Sequence, residues 1–394
     1  RGFTFVWSAH HIIIDGWCQS LLIGEFQEIY LSLLRGECPD LPPAGQYRAY
    51  IDRLGRQDAA AAQTFWKHYL ADYEGQHRLF AESPAPQRAY ENCEISLDLP
   101  EALCDRIRTI GKERGLTLSV LLKSLWGVLL HKYQGTERVL IGQVGASRPA
   151  EIPHIDRAIG LFINTTPVIL RIDPEASFLA LAHRVQAEQL ETEAHHYLPL
   201  SDIQQQSELR QHLIDHTFIF ENFPPIAGAG PEAGTPQVDY AGSYAQTNYA
   251  FNLVILPNRS ITVKFNYNGA VLPQQKVAGL VDHFSHLLEQ VGAEPEQKIG
   301  SLRLLRQAEV RELLERNGTM VTYPAVGHAY ASFLQVTIRH ADRLALVDGE
   351  TSWTYRELAQ QASRVGHLLR QNERFAPGKT VAVFLDRSPA SVAV

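Results

Sequence analysis

The segment from Leu118 to Leu130 constrains this chain more than any other. Leu118, Leu121, Leu122, Leu125 and Leu129 recur at helical spacing, and Lys123 is the one charge among them. A helix this apolar has to be buried, and a run this short, interrupted by a lysine, does not span a bilayer. The rest of the chain must supply a core around it. A length of 394 residues supports two or three domains, each able to bury one.

The flanking patterns are alternately helical and extended. Leu103, Ile107 and Ile110 make a helical stripe that Gly115 closes, and Val277, Leu280, Val281, Phe284, Leu287, Leu288 and Val291 make a second one. Strands are expected at 139–144, 166–170, 216–221, 251–256 and 260–267. In the last of these, Ile261, Val263, Phe265 and Tyr267 alternate with polar residues. Ser177 is placed to cap a helix. The prolines of Glu82-Ser83-Pro84-Ala85-Pro86 mark a linker, and the Gly-, Pro- and Ala-rich stretch from Pro224 to Gly242 reads as a long irregular loop. Interleaved helices and strands of this kind define an α/β (α+β) chain.

Chemistry concentrates near residue 10. Phe3, Phe5 and Trp7 alternate with Thr4, Val6 and Ser8 as in a strand, and His10-His11-Ile12-Ile13-Ile14-Asp15-Gly16 follows. Beyond it Leu22, Phe26, Ile29 and Leu33 share a helical face that Gly36 can end. The motif thus sits in a strand-to-helix loop, where a rigid scaffold can aim an imidazole into a cleft. A side chain that titrates near neutrality is a candidate general base there. The bland alternative is two satisfied loop histidines beside an N-capping Asp15.

That heptapeptide resembles the HHxxxDG signature of the condensation domains of nonribosomal peptide synthetases, relatives of chloramphenicol acetyltransferase. Further family-like segments follow in order: Ile159-Gly160-Leu161-Phe162-Ile163-Asn164-Thr165, Asp215 to Asn222, and Gln246-Thr247-Asn248-Tyr249. The resemblance covers roughly residues 1–305. It implies a two-lobed chloramphenicol acetyltransferase-like fold, its first lobe truncated, with residues 1–85 ending that lobe and 86–305 forming the second. After a linker at 306–325, residues 326–394 resemble the opening of an adenylation domain. The features there are Leu344-Ala345-Leu346-Val347, a turn at Asp348-Gly349, Trp353 to Leu358, a long amphipathic helix and a strand running up to Asp386-Arg387-Ser388. The phosphate loop with which adenylating enzymes hold ATP is missing from this stretch, so no amino-acid activation is expected.

The implied activity is amide-bond formation between a carrier-bound donor acyl or peptidyl thioester and the amine of a carrier-bound aminoacyl thioester. His11 is the implied catalytic residue, either removing a proton or orienting the amine and stabilising the tetrahedral intermediate. His10 is the implied structural neighbour. Asp15 is expected to form a buried ion pair with Arg148 of Gly145-Ala146-Ser147-Arg148-Pro149. Gly16 either lets backbone or substrate pass closely or is a plain turn glycine. Asn164, Asn248 and Tyr249 either line the substrate channel or serve as ordinary structural residues. The remaining histidines, His195 and His196 included, read as satisfied surface residues. No cofactor is expected on the chain itself; its substrates would ride on the 4′-phosphopantetheine of upstream and downstream peptidyl carrier domains, beside the adenylation domain of the same chain. An epimerisation-type domain and a non-catalytic carrier-docking scaffold are the competing readings.

Charge and cysteine usage narrow the partners further. A formal charge of −7 without a lysine or arginine block argues against nucleic acid. Cys18, Cys38, Cys93 and Cys104 show no metal-ligand spacing, so no metal is expected and the thiols read as reduced, cytoplasmic and mostly buried. Nothing resembles a signal peptide or a membrane span. Arg1 opens inside an apparent strand and Val394 closes near an apolar run, so a piece of a longer polypeptide is expected, inactive when expressed alone.

Overall fold

A computed structural model of the chain describes residues 4–73, 75, 79, 90–222, 247–320, 327–376 and 378–394. Phe3, Gln246, the linker at 82–86 and the loop at 224–242 lie outside the described residues. The described residues form two units, Arg1–Val310 and Arg311–Val394.

The first unit opens with three helices, α1 (Gly16–Leu34), α2 (Tyr47–Leu54) and α3 (Ala59–Leu70). Strand β1 (Asn92–Asp98) follows, then α4 (Glu101–Arg114), α5 (Leu118–Gln134), β2 (Arg138–Ala146) and β3 (Ile163–Arg171). Next come α6 (Phe178–Glu193), α7 (Leu200–Gln205), β4 (His216–Phe220), β5 (Phe251–Pro257), β6 (Ile261–Asn268) and α8 (Gln274–Ala293). The strands make one mixed sheet in the order β1-β6-β5-β4-β2-β3. β4 runs parallel to β2 and to β5, and the other pairings are antiparallel.

Alternation along the strands divides the core in two. Val139 and Ile141 of β2 and Val168 and Leu170 of β3 join one cluster with α4, α5, α6 and α8. Leu140 and Ile169, one residue out of phase, join the opposite cluster with Trp66 and Leu70 of α3 and Ile203 of α7. Helix α5 lies fully buried from Val120 to Leu130. At Gly127 any Cβ would overlap Leu170 of β3, so the missing side chain sets how closely helix and sheet approach.

Several local expectations need correction. Residues 4–8 are not a strand, because no neighbouring strand among the described residues offers them ladder partners. The face of α1 carrying Phe26, Ile29 and Leu33 is exposed, and Phe26 stacks on Phe5 at 4.5 Å. Strand β1, in which Cys93, Ile95 and Leu97 alternate with more exposed residues, adds to the strands expected from the sequence. Of the cysteines, Cys18 and Cys104 are buried, Cys93 is intermediate and Cys38 exposed.

Helix α9 (Gln307–Arg316) comes next along the chain, and in the second unit α10 (Ala329–His340) precedes the antiparallel hairpin β7 (Leu344–Asp348) and β8 (Thr351–Thr354). Gly349 takes a left-handed φ of 58° in the turn. Helix α11 (Tyr355–Arg370) starts with a reciprocal Thr354–Glu357 capping box. The strand expected to run up to Asp386 is irregular and exposed over 381–385, with no pairing edge beside it among the described residues.

Candidate active site

The connection between β2 and β3 builds the site. The ladder register carries Gly145 opposite Asn164 and Ala146 opposite Ile163, and Ser147 N–H continues it by donating to Phe162 O at 3.0 Å. The loop beyond this neck holds Arg148, a 3₁₀ turn at Ile155–Arg157, and Gly160. The start of α1 rests against it. Asp15 is the N-cap of α1, accepting from Cys18 N–H at 3.0 Å.

Asp15 has further partners. Its Oδ2 accepts from Phe162 N–H at 3.1 Å, while Arg148 Nη2 donates at 3.3 Å to Oδ1, the oxygen that also takes the Cys18 N–H. The side chains of Asp15 and Arg148 are 1% and 8% exposed, so the ion pair is buried. The Arg148 Nη1 donates to the carbonyls of Ile155 and Ala158 at 2.7 and 2.9 Å, filling hydrogen-bonding capacity that burial makes expensive to leave open. The guanidinium lies 3.9 Å from the Phe162 ring centroid and 5.2 Å from that of Trp17. Trp17 Nε1 in turn donates to Asp156 O at 2.8 Å.

Cys18 extends the same network. Its thiol donates to Gly160 O at 3.1 Å and accepts from Gly160 N at 3.4 Å, and burial pushes its pKa up, keeping it protonated. Across the loop, Tyr47 Oη donates to Leu161 O at 2.9 Å. The Tyr47 ring occupies the space a side chain at Gly160 would need. Cys18 and Tyr47 carry no signal in the sequence, because the carbonyls their side chains bond lie more than a hundred positions away.

The histidine loop itself is buried only at its C-terminal end. Ile14 and Asp15 are buried, whereas His10, His11, Ile12 and Ile13 are exposed. His10 Nδ1 accepts from Ile12 N–H at 3.1 Å and its carbonyl from Ile13 N–H at 3.2 Å, which folds the loop into a turn. The His11 side chain makes no hydrogen bond among the described residues. Gly16, half-buried, is the first residue of α1.

The structure does not gather every candidate at this loop. Asn164 donates both amide hydrogens to backbone carbonyls, of His196 at 2.8 Å and Leu198 at 2.7 Å. Its oxygen accepts from Thr165 N–H at 2.9 Å. Tyr249 is half-buried against the cluster that contains Leu198, and Asn248 is exposed. Thr217, Asn252 and Thr247 form a polar rung that holds the turn carrying them.

Of the histidines expected at the surface, His195 and His196 are half-buried and His216 is inside. His195 stacks on Phe65 at 4.1 Å, and His196 meets Thr166 Oγ1 at 2.7 Å while burial lowers its pKa. His216 is fully buried. Trp126 Nε1 donates to its Nε2 at 3.1 Å, so Nδ1 carries the proton and donates to Asp215. Lys123 is also fully buried; it donates to the side-chain oxygens of Gln143 and Gln189, and desolvation lowers its pKa to about 7. The only sequence signal for it was a lone charge inside an apolar helix. Among the described residues no three His, Cys, Asp or Glu side chains cluster as a metal site, and no helix is long and apolar enough to cross a membrane.

A mixed sheet with helices over both faces, plus a histidine loop pinned by a buried Asp–Arg pair at the β2–β3 connection, defines a class of fold. The family model described as "Condensation domain" matches residues 1–314, and that for "AMP-binding enzyme" matches residues 334–394. The chain belongs to the condensation-domain family. It is 32% identical over 391 residues to tyrocidine synthase 2 of Brevibacillus parabrevis, covering 98% of this chain and 11% of that protein. Bacitracin synthase 3 of Bacillus licheniformis is 31% identical over 396 residues, covering 99% of this chain and 6% of its own length. The chain therefore spans a small part of these curated relatives.

Solved structures share the fold. A first condensation domain of the CDA synthetase aligns with a TM-score of 0.63 at 20% identity, covering 75% of this chain and 66% of that one. A four-domain nonribosomal peptide synthetase bound to AMP and glycine aligns with a TM-score of 0.67 at 20% identity, covering 92% of this chain and 29% of that one.

Proposed function

We propose that this chain is the condensation segment of a nonribosomal peptide synthetase, with residues 1–85 and 86–305 contributing to two lobes, 306–325 a linker and 326–394 the opening of an adenylation domain. Its substrates are two thioesters presented on the 4′-phosphopantetheine arms of upstream and downstream carrier domains. The acceptor's amine nitrogen attacks the donor's thioester carbon. A C–N bond forms, the C–S bond breaks, and the proton lost by nitrogen ends on the departing thiolate. His11 carries that proton, while most of the acceleration comes from holding both tethered substrates together. Asn164, Asn248 and Tyr249 border the channel, Asn164 from behind by fixing the turn at 196–198. A cytoplasmic setting accords with four free cysteines.

The observation that carries this reading is the buried Asp15–Arg148 pair. It holds the base of the loop bearing His11 onto the β2–β3 connection, within residues that match the condensation family. The test is single-turnover dipeptide formation by the full-length synthetase on loaded carriers. His11→Ala is expected to slow it by about 10²–10⁴-fold. An unchanged rate would remove His11 from the mechanism, and no peptide product from the unaltered synthetase would overturn the function.

A further inference from the structure

Arg148 is held by more than its anion. Its guanidinium has an oxygen partner at each terminal nitrogen, yet its Nε, although buried, has no hydrogen-bond partner among the described residues. What lies against the group instead is the face of Phe162, at 3.9 Å from the ring centroid. An aromatic face carries negative charge density and attracts a cation, most strongly where water is excluded. Phe162 is itself fully buried and packed against two further rings. Tyr47 meets it edge-on at 5.2 Å and Tyr50 tilts against it at 4.8 Å. Both tyrosines belong to α2, so the ring is fixed by a helix that, among the described residues, makes no hydrogen bond to Asp15 or the histidine loop.

Phe162 also acts through its backbone, since its N–H is one of the donors to Asp15. One residue thus engages both members of the ion pair: the ring faces the cation and the amide faces the anion. We propose that Phe162 is a positioning residue for the condensation reaction, its ring fixing Arg148 so that Asp15, and through it the loop bearing His11, holds one orientation. The assignment rests on the condensation reading for its consequence in turnover, but the orientation of the loop is measurable without it.

Replacing Phe162 by phenylalanines of increasing ring fluorination weakens the negative face stepwise while leaving ring shape nearly unchanged. In the full-length synthetase this series is expected to lower kcat progressively, by about tenfold at the fully fluorinated ring, a loss equivalent to about 1.4 kcal/mol, with KM for the loaded carriers unmoved. Phe162→Trp should retain most activity and Phe162→Leu should resemble the fluorinated end. Hydrogen–deuterium exchange of peptides covering residues 10–18 is the parallel readout, and it should quicken along the same series. If exchange and kcat are flat across the fluorinated rings, Phe162 merely fills space and the proposal is overturned. If exchange rises along the series but the unaltered synthetase makes no dipeptide, the positioning role stands and the condensation reading falls.

Discussion

Asp15→Ala is the substitution whose cost the structure defines most sharply. It removes three interactions at once: the acceptor for Cys18 N–H that caps α1, the acceptor for Phe162 N–H, and the anion facing Arg148. An N-cap loss costs about 1 kcal/mol, and removing one member of a buried pair costs about 3–5 kcal/mol because the other charge stays buried. Arg148 keeps the carbonyls of Ile155 and Ala158 and two aromatic faces, which places the whole effect near the lower bound, at about 3 kcal/mol. Urea unfolding followed by fluorescence measures it, since Trp66 and Trp126 are fully buried in the first unit. Arg148→Met alone should also destabilise, but the double variant should cost less than the sum, with a coupling of at least about 1 kcal/mol. Additive losses, or an Asp15→Ala cost under about 1 kcal/mol, would mean that the pair does not hold the loop.

Three further outcomes follow from particular contacts. Gly160→Ala should cost about 1–3 kcal/mol by driving a methyl into the Tyr47 ring, and Tyr47→Ala should relieve most of that increment in a double variant; an increment unchanged by Tyr47→Ala would refute the clash. Lys123 has a folded pKa near 7 against 10.5 in the unfolded chain, so between these values the unfolded state binds the extra proton and stability rises with pH, by about 1.4 kcal/mol per unit. Lys123→Met should flatten that rise, checked by urea midpoints measured from pH 7 to 10. His10→Ala loses only an exposed hydrogen bond within its own turn, so it should cost less than about 1 kcal/mol and slow dipeptide formation far less than His11→Ala; equal losses of turnover would place both imidazoles in the mechanism.

What the sequence determined by itself is local and periodic. The apolar run of α5, the alternation of β6 and the stripe of α8 each specify an element and its buried face, because period alone decides which side chains share a face. The motif order around His11, Asp15, Arg148 and Phe162 was equally legible, since it needs residue identities and spacing only. The tertiary structure decided the rest. Residues 4–8 alternate like a strand, but extended backbone becomes a strand only where a neighbouring edge accepts its hydrogen bonds. The stripe of Phe26, Ile29 and Leu33 reads as a core face and stands exposed, because burial depends on what packs opposite. His216 reads as a surface residue in the sequence and is buried, satisfied by Trp126 and Asp215, and Lys123 lies in a helix read as buried but finds its partners, Gln143 and Gln189, only on β2 and α6. The Phe162 ring beneath Arg148 joins neighbours on one loop, yet it matters only because Asp15 arrives from 147 positions away. Such contacts carry no period, and only the folded chain brings their members together.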